Sequence, residues 1–429
     1  MNAGKIEQRS PSAPQLAKQS WISKAVLNLF FLYCLGCRQA EVRWVPPPVV
    51  LAPPPADIAC SIPQSEFDFS ELLNHCEFPA ENLDAGEIRV QVVDESECRR
   101  LAGQHSQAAH HLRIEKAFLD HQASRLTCEL EKCASPTTCI DRVLQLRLSL
   151  LDLEEARKRS ENVYSALFAY HELSRIDLQI QSLGKLRDVY LSILAWTEEI
   201  DLPSAALSRQ ISTFQQLHQD TLTKISAANR ERQFFEMQLR RLIGLPLDDG
   251  SRLAPVVSSD LAVPLIDEDA EIERGTSARY ELSILQSMLG ALNCCTLAEA
   301  RGVLAQFENP CTFTSALPSR RDEVEYRRME LENLAEEWQQ KATGEIMSSC
   351  RSIHGLRREL AQLAVELEEQ ENKKLNLEQK RELGGATFVD VAEANIRELE
   401  LEARILDRAV DLKLEYLRLR KSQSSLLDP

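Results

Sequence analysis

The sequence predicts an all-α chain of elongated antiparallel helical hairpins, coiled-coil in character and arranged as two tandem repeats. Three observations carry this. Of 429 residues 14 are Gly and 6% are aromatic, while Leu, Glu, Arg and Gln are abundant, a composition that favours helix over strand. No proline falls between Thr137 and Leu202, between Ser204 and Leu245, or between Ser319 and Asp428. A proline inside a helix removes a hydrogen bond and clashes with the preceding turn, so these gaps admit helices of unusual length. Within them the apolar residues step by three and four: Ile176, Ile180, Leu183, Leu186, Tyr190 and Ile193; then Ile353, Leu356, Leu360, Leu363 and Leu367; then Leu399, Ala403, Leu406, Val410, Leu414 and Leu417. Such steps keep apolar side chains on one stripe, and a sustained 3.5-residue period winds helices around each other.

From the N-terminus, residues 1–36 read as a lipoprotein-type signal peptide. Lys5, Arg9, Lys18 and Lys24 against Glu7 form a basic leader to the apolar run Ala25–Gly36, which is too short to span a bilayer. The run ends in Leu35-Gly36-Cys37, which resembles a bacterial lipoprotein box with Cys37 as the lipidated residue; Cys34 and Leu35 depart from the usual pattern. Residues 37–67 form a Pro-rich tether, with seven of the 18 prolines between Pro46 and Pro63. Such a stretch favours extended polyproline II and stands a folded body off its anchor. Loss of 1–36 takes the formal net charge from −16 to −19, which disfavours nucleic acid and anionic lipid surfaces as partners.

The two repeats, 68–250 and 251–429, follow one plan. In the first, a helix from Glu95 to Lys132 leads to the break Cys133–Cys139, a long helix from Ile140 to about Glu199, a tight turn, and a helix from Ser204 to Leu242. In the second, a helix from Arg274 to Leu304 leads to the break Glu308–Ser319, a long helix to Leu383, the turn at Gly384–Val391, and a helix from Thr387 to Arg420. The 61 residues from Ile140 to Ile200 would make a helix about 90 Å long. Ser204 and Thr387 are natural N-caps, and Gly384 and Gly385 suit the left-handed position that ends a helix. Residues between the halves read as a loop with short β-like pieces.

At this point the chain resembles the TolC-type outer-membrane efflux proteins. Gly384, Thr387, Asp390, Val391 and Ala394 match the spacing of that family's tip turn. Leu242-Ile243-Gly244-Leu245 is similar to the segment closing its first repeat. Ala278-Arg279-Tyr280-Glu281-Leu282 is similar to the opening of its second, with Tyr280 where the family has proline. The first tip departs from the pattern at Asp201 and Leu207. The family inserts β-hairpins at the two breaks to build a barrel, and a membrane strand needs about 9–11 residues. Seven residues at Cys133–Cys139 and twelve at Glu308–Ser319 hold little or no barrel.

The resemblance implies a function: a component of an efflux system at the outer membrane, lipid-anchored and mostly periplasmic. Three protomers would form the helical conduit and work with a periplasmic adaptor and an inner-membrane pump. The adaptor would dock on the tip residues Leu202, Ser204, Leu207, Gly384, Gly385, Thr387, Phe388, Asp390 and Val391, with Phe388 and Val389 expected to be an exposed apolar pair. The alternative is a structural coiled-coil lipoprotein without a conduit.

Of 12 cysteines, Cys133, Cys139, Cys294, Cys295 and Cys311 gather where the family carries its strands. In an oxidising periplasm a Cys133–Cys139 disulfide is expected to staple the first break; a metal site is the rival reading, and the spacing does not match C-x₂-C zinc modules. No phosphate-binding, zinc-protease, nucleophile-elbow or dinucleotide motif occurs. His110-His111 point apart on a helix, and Glu154-Glu155, Glu368-Glu369 and Glu371 read as solvated faces. Neither an enzyme nor a cofactor is expected.

Overall fold

A computed structural model describes residues 90–130, 138–198, 205–247, 251–256, 263–307 and 319–427, and the side chains of all these except 125–130, 138 and 205–207. The described residues all lie in Glu66–Pro429, the second of two units of the chain. Among them, α1 (Glu95–Gln104), α2 (Gln107–Leu130), α3 (Thr138–Glu198) and α4 (Ala205–Ile243) make the first repeat. Helices α5 (Glu268–Ala278), α6 (Tyr280–Ala291), α7 (Leu297–Gln306), α8 (Arg320–Glu382) and α9 (Phe388–Ser422) make the second. No described helix is long and apolar enough to cross a membrane.

The long helices obey the predicted periodicity. α3 has 61 residues and α8 has 63, so each runs about 90 Å or more at ~1.5 Å per residue. In space their order is α4–α3–α9–α8, so α3 and α9 lie inside and α4 and α8 at the edges. The core follows the junctions: Ile353, Leu360 and Leu363 of α8 meet Leu406, Val410 and Leu414 of α9. Val163, Leu167 and Leu173 of α3 meet Leu239 and Ile243 of α4. Burying a Leu or Val side chain contributes about 1.5–3 kcal/mol, so the seams hold the hairpins closed.

Two shorter helices stand where one was expected at the start of the first repeat. The break falls at His105-Ser106, where buried Ser106 caps α2 by accepting from the Ala109 N–H at 3.3 Å. The expected 274–304 helix is three pieces. Arg279 is extended, with φ −66° and ψ 129°, and its buried guanidinium donates to Glu345 at 2.7 Å and Glu281 at 3.2 Å. The second interruption is the 293–296 turn, tied by the Asn293 N–H to Thr296 Oγ1 at 2.9 Å and the Cys295 N–H to Asn293 Oδ1 at 2.8 Å. Side-chain bonds to backbone compete with helix there.

Strands β1 (Val90–Val93) and β2 (Arg252–Pro255) pair in parallel, Val90 with Arg252 through Val93 with Pro255. This joins the start of the first repeat to the linker between repeats. Arg232 locks the strands to the helices, donating to Asp177 of α3 at 2.6 Å and to the Leu253 carbonyl at 2.5 Å. At the end of α4, Gly244 takes φ +75°, and a Cβ there would fall 2.5 Å from the His105 ring, so the site needs glycine on both counts.

The disulfide expectation is corrected. Cys139 pairs with Cys295, not with Cys133, at a Cα–Cα distance of 5.8 Å, within the span a disulfide bridges. Cys139 sits in the first turn of α3 and meets the 293–296 turn, so the link ties the two repeats across 156 residues of sequence instead of stapling one short break. Cys133, with the rest of 131–137, and the second break at 308–318 lie outside the described residues.

Candidate functional site

The described tip joins α8 to α9, and its shape follows from four residues. Gly384 adopts φ +76°; its N–H reaches the Arg381 carbonyl at 3.0 Å, and the Gly385 N–H reaches Lys380 O at 2.7 Å. This pair of bonds is the Schellman ending, which requires the left-handed residue that glycine supplies. Thr387 then starts α9. Its Oγ1 accepts from the Asp390 N–H at 3.2 Å, while Asp390 Oδ2 accepts the Thr387 N–H at 2.8 Å. The reciprocal pair is a capping box. Hydrogen bonds from the Thr387 hydroxyl and N–H hold the Asp390 carboxyl below its ordinary pKa.

The seam of α9 begins at once. Val389, Ala392 and Ile396 pack on Tyr190 and Ile193 of α3 and Phe214 of α4. This overturns the expected exposed pair: Val389 is buried, and Phe388 is half-buried, its ring 5.3 Å from that of Trp196. The physical reason is the heptad. Positions 389, 392, 396 and 399 step by three, four and three onto α3, so the first turn of α9 already belongs to the core. The apolar side chain that the tip presents to solvent is Leu383, 87% exposed at the end of α8. Val391 is buried, while Gly384, Gly385, Thr387 and Asp390 are exposed.

The other predicted positions are partly out of view. Cys37, Leu202 and Ser204 lie outside the described residues, and Leu207 is placed in α4 by its backbone alone. The two tips are therefore not brought together by any described contact, although α3 and α4 carry Trp196 and Phe214 to the α9 start.

Behind the tip, polar pairs fix α9 against its neighbours. Arg175 of α3 donates to Asp411 at 2.5 Å, Gln179 to Asp407 at 3.1 Å, and Arg408 of α9 to Glu359 of α8 at 2.8 Å. His171 lies deeper in α3, 3.8 Å from Glu95. Burial pushes its pKa down to about 4, against the opposing pull of Glu95, so at neutral pH the contact is between a carboxylate and a neutral ring. Among the described residues no group of three or more His, Cys, Asp or Glu is placed to hold a metal ion. The arrangement serves packing.

No protein-family model and no curated protein matches the chain by sequence. Solved structures match it by fold. The open state of the Neisseria gonorrhoeae MtrE outer membrane channel aligns with a TM-score of 0.58 at 11% identity, over 78% of this chain and 89% of that one. The outer membrane protein VceC from Vibrio cholerae gives 0.57 at 13% identity over 77% and 96%. The Campylobacter jejuni CmeC outer membrane channel gives 0.54 at 9% identity over 77% and 86%. At these identities the likeness is one of architecture: the chain has the TolC-like fold of outer-membrane efflux channels.

Proposed function

We propose that the chain is the helical periplasmic part of a TolC-type export conduit, held at the outer membrane by a lipid on Cys37 and closed as a homotrimer. The observation that carries this is the pair of edge helices. α4 buries one stripe against α3, and α8 buries its apolar side chains against α9 and the short helices α5, α6 and α7; both also turn apolar side chains to solvent: Phe234 and Met237 on α4, Met329, Val365 and Leu375 on α8, each more than half exposed. Edges of this kind are satisfied by a second copy, and three copies joined α4 to α8 close a wall. The tips, with Gly384–Val391 and exposed Leu383, then dock the hairpins of a periplasmic adaptor that couples to an inner-membrane pump.

Light scattering on the full chain in detergent tests the reading, with a trimer as the expected mass. A monomer or a two-chain coil would instead favour a scaffolding lipoprotein without a conduit. One observation of the sequence speaks for that second reading: the breaks Cys133–Cys139 and Glu308–Ser319, seven and twelve residues, are short for paired strands of about 9–11 residues each. Cys37→Ser is expected to free the protein from membranes, and retention after a salt wash would exclude the lipid anchor.

A further inference from the structure

Away from the tip, a cavity of about 560 Å³ opens where α3, α8 and the end of α9 meet the start of α6. It lies between the repeats and is not used by the conduit reading. Its carboxylates are already matched. Glu281 and Glu345 both serve Arg279, at 3.2 and 2.7 Å, and Glu161 binds Lys158 at 2.8 Å. Two of its four cations are matched as well, Arg279 by those glutamates and Arg418 by Glu415 at 2.8 Å; the other two keep donors free. Arg157 gives Nη2 to Glu154 at 2.6 Å, but its Nε is buried without an acceptor. Lys421 makes no ion pair among the described residues; its ammonium rests 4.1 Å from the Tyr164 ring centroid. Ser160, Ser348 and Ser349 add hydroxyls to the wall.

The unspent groups are therefore donors: an ammonium, guanidinium N–H and hydroxyls. Four cations line the space against three carboxylates, in a chain whose net charge is −16. An oxyanion is the ligand that such donors hold most strongly. A bare anion would leave most of the volume to water, because this size lies within the roughly 300–1,000 Å³ of small-molecule sites. The serine hydroxyls, and the second lone pairs of the arginine-bound carboxylates, match a ligand that also carries hydroxyl groups. We propose that this cavity binds a small polyhydroxylated oxyanion, a sugar acid or a sugar phosphate.

Titration calorimetry of the full chain tests this, using glucuronate for the carboxylate source and glucose 6-phosphate for the phosphate source, with glucose and inorganic phosphate as controls. The expected result is saturable binding of at least one of the two, tighter than either control. Lys421→Gln, a surface change that leaves helical circular dichroism intact, should weaken it by about tenfold or more. Ser348→Phe, which fills the cavity from the exposed side of α8, should abolish it. Absence of saturation by either ligand up to about 10 mM, equal binding of glucose, or unchanged affinity in Lys421→Gln would each overturn the assignment.

Discussion

Helices α4 and α9 are the second arms of the two hairpins, 39 and 35 residues long, and each follows a long helix. Their surroundings differ. α9 runs between α3 and α8 and buries residues on more than one stripe, among them Val389, Val391, Ala394, Leu412 and Leu419. α4 buries or half-buries one seam: Ile211, Phe214, His218, Thr221, Ile225, Ala228, Arg232, Phe235 and Leu239, at alternating steps of three and four. Its opposite face meets solvent. The same hairpin written twice thus gives one core helix and one edge helix. A repeat fixes local geometry, and position in the array decides what each copy of the pattern buries.

The comparison breaks first in the core. Leu419 is fully buried among α8 and α9 side chains. Leu419→Ala is expected to cost about 4 kcal/mol, a transfer loss plus a cavity, read as a shifted midpoint in urea unfolding. Phe234→Ala on α4, where the ring is 58% exposed, should leave the midpoint of the dissociated chain within about 0.5 kcal/mol. Equal losses at the two sites would erase the distinction between core and edge.

A second test uses pH. His171 is 5% exposed and faces Glu95, Arg99 and Lys413, besides the Tyr170 ring. Its folded pKa of about 4 lies below the ordinary 6.5, so between those values the unfolded chain binds more protons. Stability at this site is full above pH 6.5 and falls as the pH drops toward 4, by at most about 3 kcal/mol at ~1.4 kcal/mol per pH unit. Melts of wild type and His171→Leu between pH 7 and pH 4.5 isolate the term. The wild-type decline should flatten in the variant, and an undiminished decline there would place the acid sensitivity in other groups.

A smaller effect is expected at the start of α9. Thr387→Ala removes one half of the capping box and should cost about 1 kcal/mol. Amide exchange should quicken in the first turn, around Val389 and Asp390, and leave α4 unchanged. Loss across the whole hairpin would mean that the tip is a nucleus rather than a local cap.

The sequence made the long helices plain because a seam such as Ile353 to Leu367 repeats over many turns, and the bounds of α3 shift by only two residues from those read off Ile140 to Ile200. Tip chemistry was also readable, since Gly384, Thr387 and Asp390 act within a few residues of one another. What escaped is non-local. The partner of Phe388, Trp196, stands 192 positions away, and nothing nearby in sequence tells a stripe that meets α3 from one that meets water. Cys139 was given the nearest cysteine, yet its mate lies in a turn of the other repeat. The kink at Arg279 has a distant cause as well, in Glu345 of α8. The cavity around Lys421 needs four separated helices before it exists at all.

The smallest effect on folding should be the largest on assembly. Phe234 and Met237 stand on the solvent side of α4, and Val365 and Leu375 on that of α8, 58%, 54%, 54% and 54% exposed. Scattered exposed apolar residues are ordinary in any protein, so exposure alone does not distinguish an interface from a tolerated surface. A charge does. Phe234→Asp on an unpaired face loses no packing partner from α3 and should alter the helical circular-dichroism signal and unfolding midpoint by less than about 0.5 kcal/mol. On a face that meets α8 of another copy, the same carboxylate must be desolvated without a partner, at a cost of several kcal/mol per copy. Light scattering should then show monomers for Phe234→Asp and for Val365→Asp alike, because one seam uses both edges. A variant trimer as stable as the wild type would remove α4 from the seam and leave its apolar face without an assembly role.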